Sequence, residues 1–232
     1  MTASLRKTLI EAGRILAAEG QGDLIWGHVT ARLPSDPERF LMKPARIGLE
    51  EMSARNIITI DLKGEKVAGA APRHNEVFIH TEIMRVRPEI QCVVHTHAPH
   101  AVAFFSLGKP ILPVGHHGAV FAGWMPVFSE TTNLIVTPEL GRAVARTLGP
   151  HAALALRNHG IVTAGRTIEE AVMYAVTLET ACKTQLLAEA AGGPQAVTES
   201  AEIEAKRGRV FRADMYRSAF EYLARRAQRR KS

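Results

Sequence analysis

Apolar residues recur at helical spacing over residues 3–19, where Leu5, Leu9, Ile10, Ala12, Ile15 and Leu16 share a side and Gly20 supplies a stop. That period predicts an amphipathic helix with one face on a core. Residues 24–33, beginning with Trp26-Gly27-His28 near their start, 40–42 and 56–61 then read as strands, with Pro44 after the second and Lys63-Gly64-Glu65 turning into Lys66-Val67. The helical period returns over 75–87, carried by Val77, Ile79, His80, Ile83, Met84 and Val86, with Pro88 just beyond. Residues 91–95 read as a buried strand and 99–107 as a helix ended by Gly108. Residues 111–128 are apolar pieces separated by glycines, expected to be short strands. Thr137 before Pro138 is expected to cap a helix reaching about residue 148. Residues 152–156 and 160–164 are expected strands on either side of Asn158-His159. The longest helix is predicted over 167–191, where Thr167 and Glu170 have capping-box spacing and Gly192-Gly193-Pro194 ends it. Residues 198–228 read as one or two polar helices.

Helical and strand patterns alternate without an internal repeat or a linker rich in Pro, Gly or Ser. One αβ domain over 1–232 is expected, with 195–232 as a C-terminal helical extension. Hydrophobic residues are 46% and charged residues 22% of the 232, which excludes a disordered chain. Two cysteines, Cys92 and Cys182, cannot build a disulfide framework and fit a reducing compartment. The N-terminus lacks the apolar core of a secretory signal, and no run approaches the roughly 18 apolar residues of a membrane span. The expectation is a cytoplasmic protein without a membrane partner. The net charge of +6 owes much to Arg225, Arg226, Arg229, Arg230 and Lys231. These read as a solvated last helix turn, where cations complement the dipole. Only Tyr222 is near them, so nucleic acid is not an expected partner.

The chemistry lies in the ten histidines. His95-Thr96-His97 stands at the end of a strand, and residues i and i+2 of a strand point to one side. The two imidazoles therefore converge, as metal ligands often do. His159 follows a second apolar strand within Arg157-Asn158-His159-Gly160. Three histidines are a frequent ligand set for a catalytic divalent ion with one position open, although a His-x-His pair also arises in proteins that bind no metal. Glu76, after Pro72-Arg73-His74-Asn75, opens a helix, where a carboxylate favours the dipole. His80 on the apolar helix face reads as packed or supporting, His100 as supporting and His151 as a surface residue.

Taken together, these residues resemble the class II aldolase/adducin family. The markers are Gly27-His28-Val29-Thr30-Ala31-Arg32, similar to the family's Gly-Asn-Val-Ser-x-Arg; Met42 to Gly48 followed by Leu49-Glu50-Glu51-Met52; Glu76 followed by His80; Val93-Val94-His95-Thr96-His97; and Asn158-His159-Gly160-Ile161. Their order and spacing agree over residues 5–190. The resemblance implies an α/β fold, a three-layer αβα sandwich with a central mixed, largely antiparallel sheet. It implies a homotetramer with sites at subunit interfaces. It also implies one divalent ion per chain, Mn2+ or Zn2+, held by His95, His97 and His159, with Glu76 as the acid/base that also ligates the ion before substrate arrives.

Departures from the family pattern bear on the substrate. The sugar-phosphate enzymes bind phosphate through the Asn of the first motif, a Thr-Gly or Ser-Gly turn and a Ser-Ser pair before the Glu. This chain has His28, then Pro44-Ala45-Arg46, then His74-Asn75. The planar fork of Arg46 suits a carboxylate bidentately, and the bulk of His28 and His74 would shrink a phosphate pocket. Where the aldolases carry a Tyr donated by a neighbouring subunit, this chain has His116-His117. The pattern resembles the family's decarboxylating branch, which acts on hydroxylated aromatic or pyridine dicarboxylates such as 3-hydroxy-2-methylpyridine-4,5-dicarboxylate. The expected activity is therefore a metal-dependent carboxy-lyase, with Glu76, His116 or His117 as proton donor and His28, Arg46, His74 and Asn75 binding the substrate. The alternative is an aldolase cleaving a sugar phosphate or a hydroxy-keto acid. A non-catalytic module like the adducin head is disfavoured, because such heads are expected to lack the three histidines.

Overall fold

The computed structural model describes residues 2–229, so Arg230 and Lys231 lie outside the described residues. Strands β1 (His28–Leu33), β2 (Asp36–Met42), β3 (Ile58–Asp61), β4 (Lys66–Ala68), β5 (Cys92–Thr96), β6 (Val127–Phe128), β7 (Ala153–Leu156) and β8 (Gly160–Gly165) form one sheet. Its order is β4-β3-β2-β1-β5-β8-β7-β6. The pairings are antiparallel except for the parallel edge pair β6–β7.

Helices cover both faces. They are α1 (Thr2–Leu16), α2 (Val77–Val86), α3 (Pro99–Ser106), α4 (Gly115–Phe121), α5 (Pro138–Leu148), α6 (Ile168–Ala190), α7 (Ser200–Val210) and α8 (Ala213–Arg229). Side-chain alternation along the strands divides the core in two. Val29 and Ala31 of β1, Val94 of β5 and Ile161 of β8 join Leu9, Phe104, Leu178 and Phe220 from α1, α3, α6 and α8. Val93 of β5 and Val162 and Ala164 of β8 face the other way, onto Ile79 and Ile83 of α2 and Val144 of α5. This is the three-layer αβα architecture, with a mixed, largely antiparallel sheet. Among the described residues no helix is long and apolar enough to cross a membrane.

The caps behave as the chemistry of their residues demands. Thr137 accepts a hydrogen bond from Leu140 N at 3.3 Å, and Thr167 accepts one from Glu170 N at 3.1 Å. Glu170 returns its carboxylate to Arg166 N at 2.6 Å, one residue before the cap.

Two expected elements differ. Residues 111–128 are not a series of short strands: 115–121 form α4, and only Val127–Phe128 pairs as a strand. A seven-residue helix is too short to display a period, and its Gly118 is not a breaker. A Cβ there would lie 2.5 Å from Leu112 O, so glycine is present because the chain packs onto itself. Likewise the strand expected from residue 24 begins only at His28. Leu24 has φ 48°, Trp26 N bonds to Asp23 O at 3.0 Å, and Gly27 has φ 59°. The segment before β1 is thus a turn that delivers Trp26 beside His28.

Candidate metal centre and substrate cavity

Three buried elements bring four potential ligands together. His95 and His97 come from β5 and the residue after its end, His159 from the turn between β7 and β8, and Glu76 from the cap of α2. Their ligand atoms all lie within 4.8 Å of one another. The turn needs two local features. Asn158 adopts φ 53°, a left-handed conformation that asparagine tolerates. Gly160 permits the close approach: a Cβ would sit 2.5 Å from Thr96 O, 3.0 Å from His97 Cδ2 and 3.2 Å from His95 Cε1.

Hydrogen bonds behind the imidazoles fix which nitrogen faces the cluster. His95 Nδ1 donates to Ile161 O at 3.0 Å and His97 Nδ1 donates to Asp23 at 2.8 Å, leaving each Nε2 bare. Those two Nε2 atoms and both ring nitrogens of His159 are buried without a hydrogen-bond partner. Buried polar atoms are rarely left so, because each costs about 1–3 kcal/mol unsatisfied. One nitrogen from each of these three histidines, gathered with one carboxylate within 4.8 Å, fits a divalent cation with N and O ligands.

Glu76 is 7% exposed. Its Oε1 accepts from Ile135 N at 2.8 Å and stands 3.6 Å from His159 Nε2. Its Oε2 stands 3.8 Å from His95 Nε2 and 3.9 Å from His28 Nε2. Those contacts are too long for hydrogen bonds and act electrostatically. Burial pushes the carboxyl pKa up, but the imidazoles of His159, His28 and His95 outweigh it and hold the group well below the usual carboxylate range. Burial also drives His95 and His28 far towards the neutral form, the form that can ligate.

Beside the cluster opens a cavity of about 400 Å³. Glu76 and His97 form its metal edge, His28, Arg46, Arg73, His74 and Asn75 its polar wall, and Ile25, Trp26 and Leu134 an apolar lip. The four residues expected to bind substrate therefore line one space. Arg46 is exposed, has no hydrogen-bond or ionic partner among the described residues, and sits at φ 68°. Such a conformation in a residue with a Cβ costs roughly 1–2 kcal/mol and characteristically accompanies function. His28 is held from behind: its Nδ1 is 2.6 Å from His80 Nε2, and His80 Nδ1 is 2.8 Å from Thr30 Oγ1. His80 is fully buried and acts as a support.

His116 and His117 lie elsewhere. They begin α4, where the His117 ring is 6.3 Å from Phe211, and neither lines this cavity. His100 Nδ1 binds Glu179 at 2.6 Å and supports none of the clustered histidines. His151 is half-buried and stacks on Trp124 at 4.9 Å, so it is not a plain surface residue. Sequence reasoning missed Asp23, Arg73 and Lys43. Asp23 and Arg73 carried no signal beyond proximity to motif residues. Lys43 did: it directly follows the apolar run Phe40-Leu41-Met42 at a strand end and is fully buried.

The class II aldolase and adducin N-terminal domain model matches residues 7–186. The meiotically up-regulated gene 14 protein of Schizosaccharomyces pombe is 33% identical over 78% of this chain and 71% of its own length. A 3,4-dihydroxyphthalate decarboxylase from a Terrabacter species is 32% identical over 84% of this chain and 85% of its own. Among solved structures, an L-fuculose 1-phosphate aldolase from Glaciozyma antarctica superposes with TM-score 0.88 at 27% identity, covering 98% of this chain and 89% of that one.

Proposed function

Because the chain belongs to the class II aldolase and adducin family, we propose that it is a metal-dependent carbon–carbon lyase that decarboxylates a hydroxylated aromatic or pyridine dicarboxylate. A substrate such as 3-hydroxy-2-methylpyridine-4,5-dicarboxylate or a dihydroxyphthalate has the required chemistry. The observation that carries this reading is the unpartnered Arg46 guanidinium at the polar wall of a cavity whose other edge is the Glu76 and His97 side of the cluster. The similarity to a dihydroxyphthalate decarboxylase over most of both chains supports it.

His95, His97 and His159, with Glu76, would hold the ion. When bound, a Mn2+ or Zn2+ ion would supply Lewis-acid charge to a substrate oxygen. The chain's own groups do the rest. Arg46 fixes the carboxylate that stays, with His28 and His74 beside it and Asn75 offering an amide. Trp26 and Leu134 give an apolar edge against which the ring can pack. The departing carboxylate leaves as CO2, its bonding electrons remain on the ring carbon, and a proton must reach that carbon. Glu76, which lines the cavity beside the cluster, is the group assigned to carry it.

His116 and His117 enter as groups offered to a neighbouring subunit, within a homotetramer whose sites lie between chains. Light scattering with a parallel activity assay tests this: a tetramer is expected, and a fully active monomer overturns it. A second reading, an aldolase on a sugar phosphate or hydroxy-keto acid, is favoured by the structural likeness to the fuculose phosphate enzyme.

The deciding assay gives metal-loaded protein fuculose 1-phosphate, a dihydroxyphthalate and the pyridine dicarboxylate. CO2 release from an aromatic is expected, and it should require a hydroxyl ortho to the carboxylate that leaves. Aldehyde and dihydroxyacetone phosphate from the sugar, with no CO2 from either aromatic, would establish the aldolase instead. A charge-assisted bidentate pair contributes roughly 1.5–3 kcal/mol, so Arg46→Ala should lower turnover about 10- to 150-fold.

A further inference from the structure

Behind the polar wall lies a buried cation that the reaction does not use directly. Lys43 is fully buried at the end of β2, and its ammonium nitrogen reaches three acceptors: Ile25 O at 3.0 Å, Pro44 O at 3.3 Å and His74 Nε2 at 3.2 Å. An ammonium has three hydrogens and no lone pair, so these three acceptors satisfy it completely.

His74 Nε2 has a second candidate partner. Pro44 O lies 3.0 Å away, and an Nε2 that carried a hydrogen could donate to it. The two arrangements exclude one another. If Nε2 bears the hydrogen, that N–H confronts an ammonium at 3.2 Å, and one buried ammonium hydrogen loses its acceptor. If Nε2 is bare, Lys43 makes all three bonds and Pro44 O still accepts from Lys43. The second arrangement gives every ammonium hydrogen an acceptor, and the ammonium bridges the Nε2 lone pair and the Pro44 O that stand 3.0 Å apart.

We propose that Lys43 is a positioning residue that fixes His74 as the tautomer carrying its proton on Nδ1, so that His74 presents an N–H donor to the substrate. Nδ1 is the ring nitrogen the wall leaves free: it has no hydrogen-bond partner among the described residues, while His74 lines the cavity beside Arg46, Asn75 and His28. A donor there matches an oxygen acceptor. Together with Arg46 it makes a two-point grip for one carboxylate, a guanidinium fork on one side and a single N–H on the other. This specificity rests on the proposed reading of the cavity as a carboxylate site, whereas the tautomer does not.

The test is spectroscopic. The Zn2+-loaded protein, labelled with 15N at histidine, is measured by long-range 1H–15N correlation, with His74 assigned by its loss in His74→Asn. The wild-type ring should show a protonated Nδ1 and a bare Nε2. In Lys43→Met the proton should move to Nε2, which then donates to Pro44 O. The affinity for phthalate, an unreactive aromatic dicarboxylate, should fall about 10- to 150-fold, the usual range for losing one hydrogen bond to a charged group. A wild-type His74 protonated on Nε2 overturns the proposal even if Lys43→Met does not fold, and so does a folded Lys43→Met whose His74 pattern is unchanged. A wild-type protein with the expected tautomer that fails to bind phthalate leaves the assignment of Lys43 standing and removes the carboxylate reading of the cavity.

Discussion

Replacing His97 with alanine is expected to reduce the protein from close to one divalent ion per chain to a trace, with the fold kept. His97 is the most informative of the three histidines to remove. Its side chain is 21% exposed, so alanine leaves a gap that water can fill. His95 is fully buried and tied to β8 through Ile161, so its loss would also disturb the sheet. The bare Nε2 atoms create the demand for a cation, and they are bare because Asp23 and Ile161 occupy the opposite ring nitrogens. It follows that Asp23→Asn should weaken metal binding without touching a ligand, by about 10- to 100-fold, the usual effect of altering a ligand's supporting partner. Elemental analysis after equilibration with Zn2+ or Mn2+ and dialysis checks both. Full occupancy in His97→Ala would remove His97 from the ligand set. Chelation should also lower the melting temperature, because the ion would tie the cap of α2 to β5 and to the β7–β8 turn, and a ligand of the folded state alone stabilises that state.

The second large effect is expected at Glu76. Glu76→Gln keeps the side chain's shape and the oxygen that accepts from Ile135 N, so the start of α2 and the segment bearing Leu134 should stay in place. The amide carries neither the negative charge that faces His159, His95 and His28 nor an exchangeable acid proton. General acid–base groups contribute about 10²- to 10⁴-fold, and turnover should fall within that range while circular dichroism is unchanged. Turnover within threefold of wild type, with the ion fully bound, would take the proton-transfer role from Glu76 and leave it with a supporting part in the cluster.

Much of this was legible in the sequence, for identifiable reasons. Elements with a sustained period, such as α1, α2 and α6, announced themselves, and so did caps built on Thr137 and Thr167. The pair His95 and His97 followed from strand geometry, because the two-residue repeat needs no tertiary knowledge. What could not be read was the work done at long range. Asp23 stands 74 residues from His97 and Glu179 stands 79 from His100, and no local pattern links such pairs. The alternation His28, Val29, Thr30, Ala31, Arg32 is usually that of a strand with one wet face. Here the polar side is buried beneath α2, where Arg32 donates to Ile90 O, Pro37 O and Met84 O and Thr30 meets His80. The helix α4 was hidden for the opposite reason, since its Gly118 answers to packing against Leu112 rather than to any turn.

That buried polar side of β1 also guards the accuracy of folding. In the native pairing His28 stands opposite His95 and Val29 opposite Val94. A slip by one residue would turn His28, Thr30 and Arg32 into the oily layer under α1 and α6 and set Val29 and Ala31 against Glu76 and His80. Three hydrogen-bonding side chains would lose their partners at once, and no weaker mispairing could hold them. The side chains that equip the chain for chemistry thus also proofread its assembly, so a molecule folded one step out of place is unstable as well as inert.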